Sequence, residues 1–554
     1  MFFRRAIIAG GLSLVLGVSI VRAQVTFTDV SAEVGIGAVV SESGMGAGVA
    51  VADFDDDGYV DIFVPQAEGT PNLLYRNLGN GTFEEIAGQV GLDSLESART
   101  ALWFDYDDDN DLDLIVMNDR LSTPSVYRLY RQSASGQFTD VTIAAGLFVQ
   151  PSDLSEGGYH RGGICAGDID NDGDLDFFTV QWSGRGQLYL NRGDGTFIDA
   201  SASSGIAAVD RSMHQPMMAD FNEDGLLDIY VAVDFIENLL WINQGNSTFV
   251  DMAASTGAAN AMDDMGLTLG DYDNDGDFDI YITNIYVNPS GDPLTPERHN
   301  VLLRNNFSGG QLTFEDVSVA TGVEMGHFGW GTTFMDYDND GLLDLAATNG
   351  FLGAPSKTDE SRMFRNVQGA AAPFDDVSVA VNFNDTFWGS SLVAFDYDRD
   401  GDLDLLQICK DDLLRLLENE PAEPAASNNY LVVKPRMPVR NRRAIGAVVR
   451  VALPGGPTLS RLITAGTSYL GQEPAEAFFG VGTVSEVDSV TVEWPGGQQT
   501  TIANVAVNQV LVVNAPFGTS IPTASGWGQL ILLLSIAVAA TLTFRAGRTR
   551  MNCA

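Results

Sequence analysis

The segment Asp271-Tyr272-Asp273-Asn274-Asp275-Gly276-Asp277-Phe278-Asp279 reads D-x-D-x-D-G-x-x-D, and the chain carries this nonamer seven times. The other copies begin at Asp53, Asp105, Asp168, Asp220, Asp336 and Asp396, with start-to-start spacings of 52, 63, 52, 51, 65 and 60 residues. A period this long implies one supersecondary unit per copy, stacked in an array or closed in a ring.

The spacing has a chemical reason. Positions 1, 3 and 5 set three short oxygen side chains on one side of a tight turn. Glycine at position 6 allows the positive φ that such a turn requires. The carbonyl of position 7 can then face inward, and the aspartate at position 9 closes the cage. An all-oxygen cage in a flexible loop suits Ca²⁺, which takes about 6–8 oxygens at roughly 2.3–2.6 Å; Mg²⁺ asks for stricter geometry. The expected ligands are Asp53, Asp55, Asp57 and Asp61; Asp105, Asp107, Asp109 and Asp113; Asp168, Asp170, Asp172 and Asp176; Asp220, Asn222, Asp224 and Asp228; Asp271, Asp273, Asp275 and Asp279; Asp336, Asp338, Asp340 and Asp344; and Asp396, Asp398, Asp400 and Asp404. Two copies depart from the pattern. Asn110 replaces the glycine, and asparagine tolerates the left-handed region better than most residues; Asn222 keeps an oxygen but loses a charge. The alternative is an acidic surface turn without metal, but seven such clusters would repel one another without counter-ions.

The loop is not an EF-hand, whose position 12 holds a bidentate Glu between two helices. Here position 12 is Val64, Val116, Thr179, Val231, Ile282, Ala347 or Gln407. The flanks, such as Val49-Ala50-Val51-Ala52 and Asp61-Ile62-Phe63-Val64, are short apolar runs on either side of a turn. They read as a β-hairpin.

Of the 74 acidic residues, 34 lie inside the seven nonamers, so the net charge of −44 is largely metal-site chemistry. Such a field opposes nucleic acid, whose phosphates call for Lys and Arg. Only three cysteines are present, Cys165, Cys409 and Cys553, and no disulfide framework is expected.

Residues 1–23 have the form of a secretory signal: Arg4 and Arg5, an apolar stretch Ala6 to Ile20, then Val21-Arg22-Ala23. An uncleaved anchor is the other reading. Near the far end, Ile521-Pro522-Thr523-Ala524-Ser525-Gly526-Trp527-Gly528 precedes an apolar run over 530–544, followed by Arg545, Arg548 and Arg550. A run of this kind approaches the length of a membrane helix, with its arginines on the cytoplasmic side. The tail, residues 521–550, resembles the IPTL-type sorting signal of Gram-negative bacteria, with Ala524 in place of the usual Leu. That resemblance implies recognition by an exosortase-type protease and display at the cell surface or outer membrane, or secretion. A plain C-terminal anchor is the alternative.

Each unit holds more than its nonamer. A segment such as Phe27-Thr28-Asp29-Val30-Ser31 opens it, recurring at Phe83, Phe138, Phe197, Phe249, Phe314 and Phe374. A strand, the loop, a second strand and a third strand such as Leu73-Leu74-Tyr75-Arg76-Asn77 follow. Seven four-stranded units between residues 27 and 419 predict an all-β fold, a seven-bladed β-propeller, since ring closure protects sheet edges. The sequence resembles the FG-GAP (VCBS) repeat family, which implies calcium in these loops near the blade rim.

A Pro- and Ala-rich linker over 420–427 marks a boundary. Residues 428–514 then alternate apolar and polar, as in Tyr430-Leu431-Val432-Val433-Lys434 and Val490-Thr491-Val492-Glu493-Trp494, and predict a small β-rich domain. Asn441-Arg442-Arg443-Ala444-Ile445-Gly446-Ala447, Phe479-Gly480-Val481-Gly482 and Trp494-Pro495-Gly496-Gly497 make it similar to the ASPIC/UnbV domain. Basic residues gather here: Lys434, Arg436, Arg440, Arg442, Arg443 and Arg450. Either they dock onto the acidic propeller or they are solvated.

Residues six to nine positions before each nonamer should surround the central channel. They include Arg99, His160, Arg161, His214, His327, Trp330 and Trp388, types that bind small ligands or metals. Packing within the channel is the other reading. No recognised catalytic motif occurs. The expected function is an exported calcium-binding scaffold for adhesion or ligand binding, its partner a protein or glycan. The alternative is a secreted polysaccharide hydrolase or lyase using the channel-face ring, with copper or iron at its His and Met residues a third idea.

Overall fold

The computed structural model describes residues 25–516, apart from 42–44, 120–124, 150–160, 183, 286–298, 352–357, 368–373, 411 and 422–427. The expected signal segment, most of the linker and the C-terminal tail with its apolar run lie outside the described residues. Among the described residues no helix is long and apolar enough to cross a membrane.

The fold is all-β, and seven sheets carry the seven nonamers. In the first sheet Ala50–Ala52 pairs with Asp61–Val64 across the first loop, and Leu73–Asn77 and Phe83–Glu85 follow outward. The nonamer is thus the turn between the innermost and second strands, as the apolar flanks predict. Successive innermost strands pack side by side around an axis. The ring closes where Val393 and Phe395 of the last sheet share a buried cluster with Val49, Val51 and Ile62 of the first.

The phase of the repeat differs from the sequence reading. The Phe segment does not open a unit; it is the outermost strand of the sheet before it. The first such segment, Val25–Asp29, therefore has no sheet ahead of it. It pairs with Arg415–Pro421 and completes the seventh blade from the other end of the ring. That pairing continues to Pro421, two residues into the stretch read as linker. Each Phe also reaches across a blade boundary. Phe83 stacks on Tyr397, Phe197 on Tyr106 and Phe374 meets Tyr272, with ring centroids 5.9–6.2 Å apart. Burying one such ring is worth about 1.5–3 kcal/mol.

Residues 429–514 form two further sheets. Ala477–Gly482, Asn429–Arg436 and Val510–Asn514 make one; Thr458–Leu462, Val448–Ala452, Glu486–Glu493 and Gln499–Ala506 make the other. Their core, including Leu431, Val449, Phe479 and Trp494, is continuous with that between the second and third blades, which contains Phe104, Tyr106 and Phe177. Propeller and C-terminal domain are one packed body.

Candidate metal centres

All seven nonamers fold alike. The position-6 residues take positive φ, from 77° at Asn110 to 102° at Gly276, so asparagine does serve where glycine is missing. The N–H of position 7 donates to the carboxylate of position 5 in every loop, for example Tyr59 to Asp57 at 2.9 Å and Leu226 to Asp224 at 3.0 Å. The N–H of position 6 donates to position 1, as from Gly225 to Asp220 at 2.7 Å and Gly341 to Asp336 at 2.8 Å. These bonds turn the carboxylates inward. In the first and sixth loops one oxygen from each of positions 1, 3 and 5 lies within 4.8 Å of the others; in the second, third and fifth the set is positions 1, 3 and 9.

The donor set fits a divalent cation. The Oδ1 atoms of Asp53, Asp105, Asp107, Asp271, Asp273 and Asp396 are buried and accept no hydrogen bond. Leaving charged oxygens so is costly unless a cation meets them. The protein alone does not satisfy them: burial pushes Asp105 up to about 7, Asp168 and Asp228 to about 8, and Asp113 to about 9. Burial also drives Asp176, Asp279, Asp336, Asp344 and Asp404 well above the usual carboxylate range.

Position 9 has a further task that the sequence did not reveal. Asp61 accepts from its own loop at Phe54 N (3.1 Å) and from the third strand at Asn77 N (2.8 Å). The side chain of that Asn then crosses to the neighbouring blade, where Nδ2 donates to the position-2 carbonyl of the preceding loop, Tyr397 O, at 2.7 Å. The same relay runs through Asn191 to Tyr106 (2.8 Å), Asn243 to Ile169 (2.9 Å), Asn305 to Phe221 (3.4 Å), Asn366 to Tyr272 (2.9 Å) and Asn419 to Tyr337 (2.8 Å). Gln132 substitutes in the second blade, reaching Phe54 O at 3.3 Å. Seven amides thus tie seven loops in a circuit. A polar residue closing each third strand was the available signal, but it falls 15 residues after Asp176 and 26 after Asp279, a variation that hides it.

The channel-face residues have separate fates. His160 and the side chain of Arg161 lie outside the described residues. Arg99, His214 and Trp330 are buried around one side chain of the C-terminal domain, Tyr469. Arg99 donates to its hydroxyl, His214 lies 5.7 Å away by ring centroids, and Trp330 meets it edge-on at 5.1 Å. Trp388 packs against Trp330 at 5.6 Å and lies under Lys410. His327 stands apart, a third exposed, near Arg362 and Asp359. The structure brings together Arg99, His214, Trp330 and Trp388, around a residue on which sequence reasoning was silent.

The segment carrying Tyr469 runs up the axis. Glu473 accepts from Thr333 Oγ1 (2.6 Å) and Ala394 N (3.2 Å). Gln472 brackets Trp103, accepting from its N–H at 2.7 Å and donating to its carbonyl at 2.9 Å. Leu470 O accepts from Thr100 at 2.9 Å, and Ser468 Oγ accepts from Thr332 N and Leu392 N at 3.1 and 3.2 Å. With Gln215 of the fourth blade, which accepts from Leu470 N at 2.9 Å, these bonds hold the finger from four blades.

Comparison with known proteins agrees with this architecture. The FG-GAP-like repeat family matches residues 53–116, 105–179 and 168–231, and the ASPIC and UnbV family matches 438–519. The chain carries FG-GAP-like repeats followed by an ASPIC/UnbV domain. It is 27% identical over 360 residues to Cartilage acidic protein 1 of Homo sapiens, covering 64% of this chain and 44% of that protein. To the Xenopus tropicalis protein of the same name it is 29% identical, covering 52% and 43%. The matches thus span less than half of these relatives. Among solved structures, BBS1N in complex with ARL6DN gives a TM-score of 0.42 at 13% identity, covering 74% of this chain and 99% of that one. The BP39L lectin from Burkholderia pseudomallei gives 0.39 at 10%, covering 68% and 98%.

The ASPIC/UnbV domain meets the propeller on the face that bears the aspartate loops, and its basic residues dock there. Lys434 lies 3.6 Å from Asp53 and 3.2 Å from Glu476, and Arg443 lies 2.7 Å from Asp56. Arg440 pairs with Asp174 at 2.8 Å, and Arg442 donates to Asn110 at 3.3 Å. Arg436 stays short of carboxylate partners; burial and the neighbouring Arg443 lower it to about 10. The exchange also runs the other way. Arg399 of the seventh loop makes a two-pronged contact to Glu476 of the domain, at 2.7 and 3.1 Å. Burial alone would raise Glu476, but Arg399 and Lys434 outweigh it and hold the group at about 2.

Proposed function

We propose that this chain is an exported calcium-binding propeller scaffold serving adhesion or ligand binding at the surface of a Gram-negative cell. The observation that carries the calcium reading is the set of buried, unpartnered carboxylate oxygens that the loop backbone turns toward common centres. Bound there, a divalent cation supplies two positive charges against three or four converging oxygen side chains. The chain's own residues do the rest. Positions 1, 3, 5 and 9 present oxygens, the position-6 and position-7 N–H groups fix them, and the Asn relay passes each loop's geometry to the next blade.

Export, the sorting tail and its exosortase-type processing stand on the sequence patterns at the two ends. With the channel filled by the finger and one face capped, the surface left for a protein or glycan partner is the outer wall and the uncapped face. The net charge of −44 disfavours nucleic acid. Against the hydrolase or lyase reading stands Tyr469, which packs among three of the residues assigned to it, Arg99, His214 and Trp330.

The test is direct. Metal analysis of the chain dialysed against calcium buffer should find several tightly held calcium ions, and chelation should lower the melting temperature. Finding no calcium after dialysis would overturn the reading.

A further inference from the structure

At six of the seven seams between aspartate loops a donor side chain stands at one repeated point, and it comes from two different places. The fourth residue of each nonamer has positive φ, from 55° at Glu223 to 64° at Arg399. At three seams that residue is an amide or a cation that bridges the seam itself, donating to the sixth-position carbonyl of the following loop; Asn274 of the fifth loop is an amide but makes no such bond among the described residues. Asn171 reaches Gly225 O at 3.0 Å, Asn339 reaches Gly401 O at 2.9 Å and Arg399 reaches Gly58 O at 3.0 Å. At three other seams the fourth residue is Asp56, Asp108 or Glu223, which as a carboxylate has no proton to give. An arginine of the ASPIC/UnbV domain stands at each of those three. Arg443 is 2.7 Å from Asp56 and donates to Asp53 O at 3.3 Å. Arg440 lies 3.8 Å from Asp108 and donates to Asp174 Oδ2 and to the loop carbonyl of Asp172 at 2.8 and 2.9 Å. Arg450 donates to Gly276 O at 3.3 Å.

We propose that Arg440, Arg443 and Arg450 are positioning residues for the calcium loops. From a second domain, Arg440 and Arg450 give the following loop the donor that its acidic seam lacks, and Arg443 neutralises Asp56 and braces the first loop. The inference rests on the calcium reading above and adds that the seven sites are unequal: those flanking the arginine-closed seams depend on docking of the domain. Two effects oppose each other. A guanidinium near a cation site repels the cation. Arg440, however, contacts the carboxylates of Asp108 and Asp174, at positions 4 and 7, and the backbone carbonyl of Asp172, and leaves the side-chain oxygens of positions 1, 3, 5 and 9 free. Without it, Asp174, 2% exposed, keeps a buried charge facing Asp108 across the seam. Losing the partner of a buried charge distorts or neutralises the site, an effect larger than screened repulsion over a few ångströms. Geometry should therefore win, and affinity should fall.

The experiment is a calcium titration of the full chain against a chromophoric chelator. Arg440→Ala should weaken the calcium equivalents of the second and third loops by about tenfold, the scale of one charge-assisted hydrogen bond. Adding Asp108→Asn to that variant should restore most of the loss, because the seam then has the amide donor that Asn171 and Asn339 provide elsewhere. Unchanged or tighter binding in Arg440→Ala overturns the inference, as does failure of the added Asn to rescue. Should Arg440→Ala not fold, Asn171→Asp poses the converse question at a seam closed by the propeller itself. There, weaker binding is expected and unaltered binding overturns the proposal. A wild-type chain that takes up no calcium overturns the calcium reading and this inference together; failure confined to the variants overturns this one alone.

Discussion

Arg99, on the innermost strand of the second blade, donates from Nη2 to the hydroxyl of Tyr469 at 2.9 Å across 370 residues of sequence. Both side chains are buried, and the Arg99 guanidinium also donates to Gly46 O and Met45 O at 3.0 and 3.2 Å. The contact places the tip of the ASPIC/UnbV finger at the far mouth of the channel. It ties together two domains that are separate in sequence.

Tyr469→Ala removes a fully buried aromatic ring from against Trp330 and strips Arg99 of an acceptor. Large-to-small changes of this kind cost about 3–5 kcal/mol. Urea unfolding should show a midpoint shift of that order. Tyr469→Phe, which keeps the ring, should cost less, about 1–2 kcal/mol for the lost hydrogen bond.

Asn191→Ala cuts the bridge to Tyr106 O and leaves a buried carbonyl without that donor. The expected loss is about 1–3 kcal/mol. Calorimetry should register it with calcium present, since the relay lies outside the loop's oxygen cage.

Chelation tests the loops as a set. Ions bound by the native state alone stabilise it by mass action, about 2.7 kcal/mol per site at a hundredfold excess over Kd. EDTA should therefore lower the melting temperature by many degrees, and added calcium should restore it. Equal melting curves with and without EDTA would remove calcium from the account.

Glu473 gives a pH signature. Burial raises it from 4.5 to about 7, even though Thr333 and the Ala394 N–H oppose the shift; Asp336, Arg461 and Glu476 line the same interdomain cavity of about 100 Å³. Between those two values the folded chain holds a proton that the unfolded chain has released. Its stabilising contribution is complete below about 4.5 and is lost as pH rises through about 7. Measured in saturating calcium, the stability of the wild type relative to Glu473→Gln should decline over that window. A constant difference would show that Glu473 does not titrate there.

The nonamers, their hairpin setting and the positive φ at position 6 were legible because each depends on residues a few positions apart. Asp, Gly and short apolar flanks suffice to encode a cage and a hairpin. The strand phase was misread because a repeat in sequence has no natural starting point. Only the pairing of Val25–Asp29 with Arg415–Pro421 shows which strand ends a blade. Arg99, His214 and Trp330 converge, but on a partner that was not legible, because nothing in the local pattern around Tyr469 points to Arg99.

By itself, then, the sequence determined seven oxygen-lined turns, the strands beside them and a second β-rich domain with surplus arginine. Tertiary structure alone decided that the first strand closes the ring, that seven Asn and Gln side chains chain the loops together, and that the second domain caps one face while its finger fills the axis. The physical reason is range. Turn chemistry acts through the backbone of neighbouring residues, whereas a buried hydrogen bond or ion pair forms between whichever groups the fold brings within about 3 Å.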